Sequence, residues 1–111
     1  MERLIESIKK TVEEEYERAA ATYGRQHSTQ QEAYAVIREE FQETCESVNE
    51  MGELIEERFW QNVRNDNVKG NFAVAKNIYN AAVLAACEAI QVAAMAHKAM
   101  QGYEKQEVAY E

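Results

Sequence analysis

Residues 81–100, AAVLAACEAIQVAAMAHKAM, constrain this chain more than any other stretch. Alanine, leucine, methionine and glutamate favour helix, and no Gly or Pro interrupts the run. A helix apolar on nearly every side is one that is covered on nearly every side. Yet Glu88 falls in the same helical stripe as Ala81, Leu84, Ala85, Val92 and Met95, and Gln91 lies one turn on. A carboxylate in an apolar stripe is costly unless it is paired, protonated or bound to a cation. The chain therefore needs either a polar partner or a metal at this point.

The remaining pattern is helical. The 111 residues include no proline and only 4 glycines, which predicts an all-α fold, a bundle of three to four helices in a single domain spanning residues 1–111. Residues 2–22 carry Leu4, Ile5, Ile8, Val12 and Tyr16 in one stripe, with Glu13, Glu14, Glu15 and Glu17 read as a solvated face and Gly24 as the stop. Ser28 with Gln31, or Thr29 with Glu32, fits a capping box that starts a second helix. Its expected apolar face is Ala33, Val36, Ile37, Phe41, Thr44 and Val48, with Glu40 in the middle of that face and Glu43 on its edge. Asn49 to Gly52 is expected to kink or end that helix, and Leu54, Ile55, Phe59 and Val63 resume the pattern. Asn65 to Asn71 reads as a loop, and the last helix is expected from Phe72 to about Gln101, stopped near Gly102, with a fraying tail from Tyr103 to Glu111. His27 reads as a surface or packing residue, and Trp60 as a core or subunit-interface residue.

Charge narrows the partners. The formal net charge of -8 argues against binding a nucleic-acid polymer, which calls for clustered Lys and Arg. A nucleotide substrate is compatible, because a bound divalent cation inverts the local field. Residues 81–100 match the length of a membrane span, but Glu88, Gln91, His97 and Lys98 and the weakly hydrophobic alanines point to a buried helix and no membrane. Cys45 and Cys87 show no disulfide-scaffold spacing, and the first 15 residues form an acidic amphipathic helix unlike a signal peptide, so a cytoplasmic location is expected. So short a chain with so apolar a last helix also predicts a homo-oligomer.

Two helices thus each offer acids at a spacing of three: Glu40 and Glu43 on one, and Glu88 with Gln91 in the second position on the other. Hard oxygen ligands of this kind suit Mg²⁺ or Mn²⁺. Residues 39–43, EEFQE, and 88–91, EAIQ, resemble the EExxE and ExxD elements of the MazG-like, all-α nucleoside triphosphate pyrophosphohydrolases. The wording YGRQHSTQQEAYAVIREEFQE, followed later by CEAIQVAAMAHKA, is similar to the MazG-like proteins of phages and prophages of Gram-positive bacteria. The resemblance implies a helical bundle assembled as a dimer or tetramer. It implies cleavage of a nucleoside triphosphate to monophosphate and pyrophosphate with Mg²⁺. Carried over, Glu40, Glu43 and Glu88 would hold the metal, with Gln91 beside them where the family has Asp. Glu39 would be an accessory catalytic acid, and Lys98 a phosphate contact. The segment 44–87 is longer than usual in the family. Two other readings stand beside the enzyme: a non-catalytic bundle that binds nucleotide or a protein, and a purely structural polar network around Glu88 and Gln91.

Overall fold

A computed structural model of the chain describes the backbone of residues 1–110 and the side chains of residues 1–105. Every regular element among them is helical: α1 (Glu2–Tyr23), α2 (Gln30–Glu53), a π-helical segment (Leu54–Phe59), α3 (Trp60–Arg64) and α4 (Val68–Tyr110). The all-α expectation holds.

Local chemistry sets most of the boundaries. Gly24 ends α1 with φ at 90°, and its N–H donates to Ala20 O at 3.0 Å. Thr29 caps α2, its Oγ1 accepting the Glu32 N–H at 3.0 Å, while the Glu32 carboxylate accepts the Ser28 N–H at 3.3 Å. Asn67 caps α4 by accepting the Gly70 N–H on Oδ1 at 2.9 Å, after Asp66 has turned the chain at φ 51°. The turn is therefore shorter than residues 65–71, and Gly70 is helical.

Three expectations are corrected. Asn49 to Gly52 continue α2 without a break, and the irregularity comes at Leu54–Phe59 as a π-helical stretch. Its wider turn puts Phe59, five residues beyond the buried Leu54, back on the half-buried side, so the inward stripe survives a shift of register. Gly102 does not stop α4, which continues to Tyr110, because a lone Gly weakens a helix without obliging it to end; Glu111 lies outside the described residues. On α2 the inward stripe is Ala33, Val36, Ile37, Glu40, Thr44 and Ser47, whereas Phe41 and Val48 are 55% and 47% exposed.

The chain divides into two compact units: Met1–Phe41 with Ala89–Glu111, and Gln42–Glu88. In the first, the buried residues are Tyr16, Ala33, Ala94, Lys98 and Ala99, with Ala94 wholly covered. Tyr16 meets His97 edge-on, with ring centroids 4.7 Å apart, and its hydroxyl donates to Arg25 O at 2.8 Å. His27 donates from Nε2 to Met95 O at 3.3 Å, tying the α1–α2 connection to α4. Only the later part of α1 is covered, since Leu4, Ile5 and Ile8 are exposed. In the second unit, a hairpin of helices, the buried residues are Ser47, Leu54, Val74, Ala81 and Ala85. Alanines make up half of the buried residues, alongside Tyr16, Leu54 and Val74. By length and composition α4 could cross a membrane, with a window of mean hydropathy 1.5 of which 17% is buried.

Ala94, with no exposed surface, has no room to grow. Replacing it with leucine should cost about 1–3 kcal/mol through overpacking. A lowered urea midpoint would show this, whereas an unchanged midpoint would mean the site can relax.

Candidate functional site

The acids expected to act together are divided between the two units. Glu39, Glu40, Gln91 and Lys98 belong to the first, and Glu43 and Glu88 to the second. Glu40 is half-buried on the inward stripe of α2, while Glu39 and Glu43 are exposed.

Within the second unit, Glu88 is half-buried and accepts a hydrogen bond on Oε1 from the Ser47 hydroxyl at 2.7 Å. Ser47 is itself buried, so each group satisfies the other where water is scarce. One lone pair on Oε1 and the whole of Oε2 are not used by this bond. Ser47 was legible in principle: it lies seven residues after Glu40 on the same face, the place that the sequence reading gave to its neighbour Val48.

Within the first unit, Gln91 donates from Nε2 to Glu15 Oε1 at 2.8 Å. Glu15 is half-buried and also receives the guanidinium of Arg18, whose Nε lies 3.0 Å away. The Arg18 hydrogen bond, followed by that of Gln91, holds the Glu15 carboxyl below its ordinary range, against an opposing desolvation. Glu15 is thus not part of a uniformly solvated face. It was missed because α1 alone does not show which residue of α4 will meet it. A carboxylate accepting from Gln91 also gives a reason for an amide in that position, since aspartate there would set two anions together.

Lys98 is 6% exposed and makes no ion pair or side-chain hydrogen bond among the described residues. His27, with a side chain only 4% exposed, is a packing residue and not a surface one. Its Nδ1 has no hydrogen-bond partner among the described residues and lies 3.9 Å from Glu32.

Two clefts lie within the units. One in the first unit, about 490 Å³, is lined by Tyr16, Glu17, Arg25, His97, Gln101 and Lys105 among others. Arg25 is already committed there, making two 3.0 Å bonds to the Glu17 carboxylate, which is held below its ordinary range by that contact. One in the second unit, about 380 Å³, is lined by Glu50, Leu54, Arg58, Asn77, Asn80, Ala81 and Leu84. None of the six residues singled out from the sequence lines either. Among the described residues no three His, Cys, Asp or Glu side chains are grouped so as to hold a metal ion. The donors are of the right chemical type for Mg²⁺. Comparison with protein families, with curated proteins and with solved structures returns no match.

Removing the Ser47 hydroxyl should leave Glu88 short of a donor. Ser47→Ala and Glu88→Gln are expected to couple by about 1 kcal/mol in a double-mutant cycle of urea unfolding, and additive losses would deny the bond any net value. Because folding lowers the Glu15 pKa, its contribution is complete above the unfolded value and is lost as pH falls through the folded one. Wild type should therefore lose more stability than Glu15→Gln between about pH 6 and about pH 3. Equal losses in unfolding titrations at the two pH values would remove Glu15 from the acid response.

Proposed function

We propose that this chain is a MazG-like nucleotide pyrophosphohydrolase. On this reading it cleaves nucleoside triphosphates to monophosphate and pyrophosphate as a cytoplasmic homo-oligomer. The observation that carries the reading is Glu88, a half-buried carboxylate in a largely apolar stretch of α4. Glu40 adds support as a second half-buried acid, on the inward stripe of α2. Acids in such places cost stability and are kept where they have work to do.

Glu40, Glu43 and Glu88 are the proposed oxygen donors to Mg²⁺ or Mn²⁺, with Gln91 adjacent and Glu39 as the accessory acid. Mg²⁺, when bound, would neutralise charge on the phosphate chain and lower the pKa of a bound water. Ser47 has a positioning role, since its hydrogen bond fixes one oxygen of Glu88 and leaves the other available. Lys98 would reach a phosphate only at the end of its buried stem.

A second reading, a non-catalytic module of the same type that binds a nucleotide or a protein, is favoured by a specific observation. Gln91, a neutral amide, stands where the ExxD element of that family has its second acid.

The two readings part in a pyrophosphate-release assay over a panel of nucleoside triphosphates with Mg²⁺ or Mn²⁺. The enzyme should release pyrophosphate, and Glu88→Ala should reduce the rate at least 100-fold while remaining folded. No release by the folded wild type would leave the binding module. A melt with and without Mg²⁺ adds an independent check, because a site that binds the ion only when folded raises the melting temperature. An unchanged melting temperature would count against a metal site.

A further inference from the structure

The second unit, taken alone, is a helical hairpin with two unlike faces. On α4 the residues turned towards α2 are Val74, Ile78, Ala81, Ala85 and Glu88, all buried or half-buried. A second apolar stripe runs along the opposite side of the same helix: Phe72, Ala75, Tyr79, Val83 and Ala86, spaced by three and four residues. Phe72 and Tyr79 are 72% and 70% exposed, and Val83 is 48% exposed. The α2 residues Cys45, Val48 and Gly52 extend this apolar side, as the helical register of an antiparallel pair requires. The other side is more polar: Glu50, Arg58, Asn77 and Asn80 line a cleft there, with the exposed Leu84 beside them.

We propose that this apolar side is the contact surface for a second copy of the same chain, joined by antiparallel pairing of the two α4 helices about a two-fold axis at Tyr79. The proposal rests on the homo-oligomeric reading and gives it a surface and a register. With the axis at Tyr79, Phe72 of one copy falls opposite Ala86 of the other, and Ala75 opposite Val83. Phe72 and Val83 then meet alanines, Tyr79 meets its own counterpart on the axis, and the stripe is its own complement, as an isologous interface requires. Charge agrees. In a chain of net charge -8, α4 carries no Asp or Glu before Glu88, so two copies can meet here without opposing carboxylates. The polar side carries Glu46 and Glu50, which would repel their counterparts.

Area also favours a copy of the chain. Phe72 and Tyr79 each offer roughly 150 Å², and with Val83, Val48 and the alanines the face comes to roughly 500 Å² per copy. The pair would bury about 1,000 Å², the lower bound for a specific interface. Spanning a bilayer suits α4 less well, because it would carry Glu43, Glu46, Glu50 and Glu53 of the packed α2 helix, all exposed, into lipid and desolvate each one.

The test uses the full chain without nucleotide, so an inactive enzyme and a wrong interface give different results. Light scattering should give twice the 12.7 kDa chain mass. Ala86→Glu, on an exposed position, should leave the helical circular dichroism intact and weaken the dimer at least tenfold. In a Cys45→Ser, Cys87→Ser background, oxidation should crosslink Tyr79→Cys and leave Asn80→Cys on the polar face as monomer. A monomeric wild type at high micromolar concentration would overturn the proposal. So would a dimer indifferent to Ala86→Glu, or one crosslinked through Asn80→Cys. Flotation of the wild type with lipid vesicles, abolished by Ala86→Glu, would assign the face to a membrane instead.

Discussion

The hydrogen bond from Ser47 to Glu88 is the contact on which the hairpin unit depends. Burying a carboxylate without donors costs several kcal/mol, more than one helix-to-helix contact returns. Ser47 sits one turn from the end of the inward stripe of α2, and Glu88 closes the inward stripe of α4. Their pairing therefore chooses one register between two helices whose other contacts are small and interchangeable. Alanine against alanine would tolerate a slip of one turn with little loss, whereas a hydroxyl and a carboxylate do not. Gln91 and Glu15 play the same part in the other unit, where Ala33, Ala94 and Ala99 are among the buried residues. In both places polar contacts specify what apolar contacts stabilise.

This division of labour explains which parts of the structure were legible in the sequence. Helix, caps and turns depend on residues a few positions apart, and they were readable: Gly24 and the Thr29 and Glu32 cap behave as their local chemistry requires, while of the α1 stripe only Val12 and Tyr16 are covered. Glu40 and Glu88 also stand on inward faces, as their spacing implied. The partners of the polar groups were not readable, because they are set by contacts across 41 residues for Ser47 and Glu88 and 76 for Gln91 and Glu15. The π-helical stretch was missed for a related reason. It preserves burial of Leu54 and Phe59 across a five-residue spacing, which a search for spacings of three and four reads as a break.

The chemistry proposed for the acids draws on the same arrangement from a different side. A serine that fixes one oxygen of Glu88 orients the carboxylate without consuming its acceptor capacity, which suits a group that must also meet a ligand. Gln91 differs, since its donor end is spent on Glu15 and only its carbonyl oxygen remains to offer. The amide thus has a sufficient structural reason to be there, and its presence does not by itself argue that a catalytic site has been lost.

The apolar character of α4 has two sources and not one. A helix in a hairpin needs one apolar stripe, and Val74, Ala81 and Ala85 provide it. The second stripe, from Phe72 to Ala86, has no covering partner within the hairpin, and its aromatic residues are more exposed than those of a helix with a single buried face. That surplus gives α4 the hydropathy of a membrane span while little of it is buried in one copy. Within the hairpin, α2 covers one side of α4 and its exposed glutamates face away from the second stripe. The proposed second copy would cover it from outside, and would reconcile a strongly acidic chain with a helix this apolar.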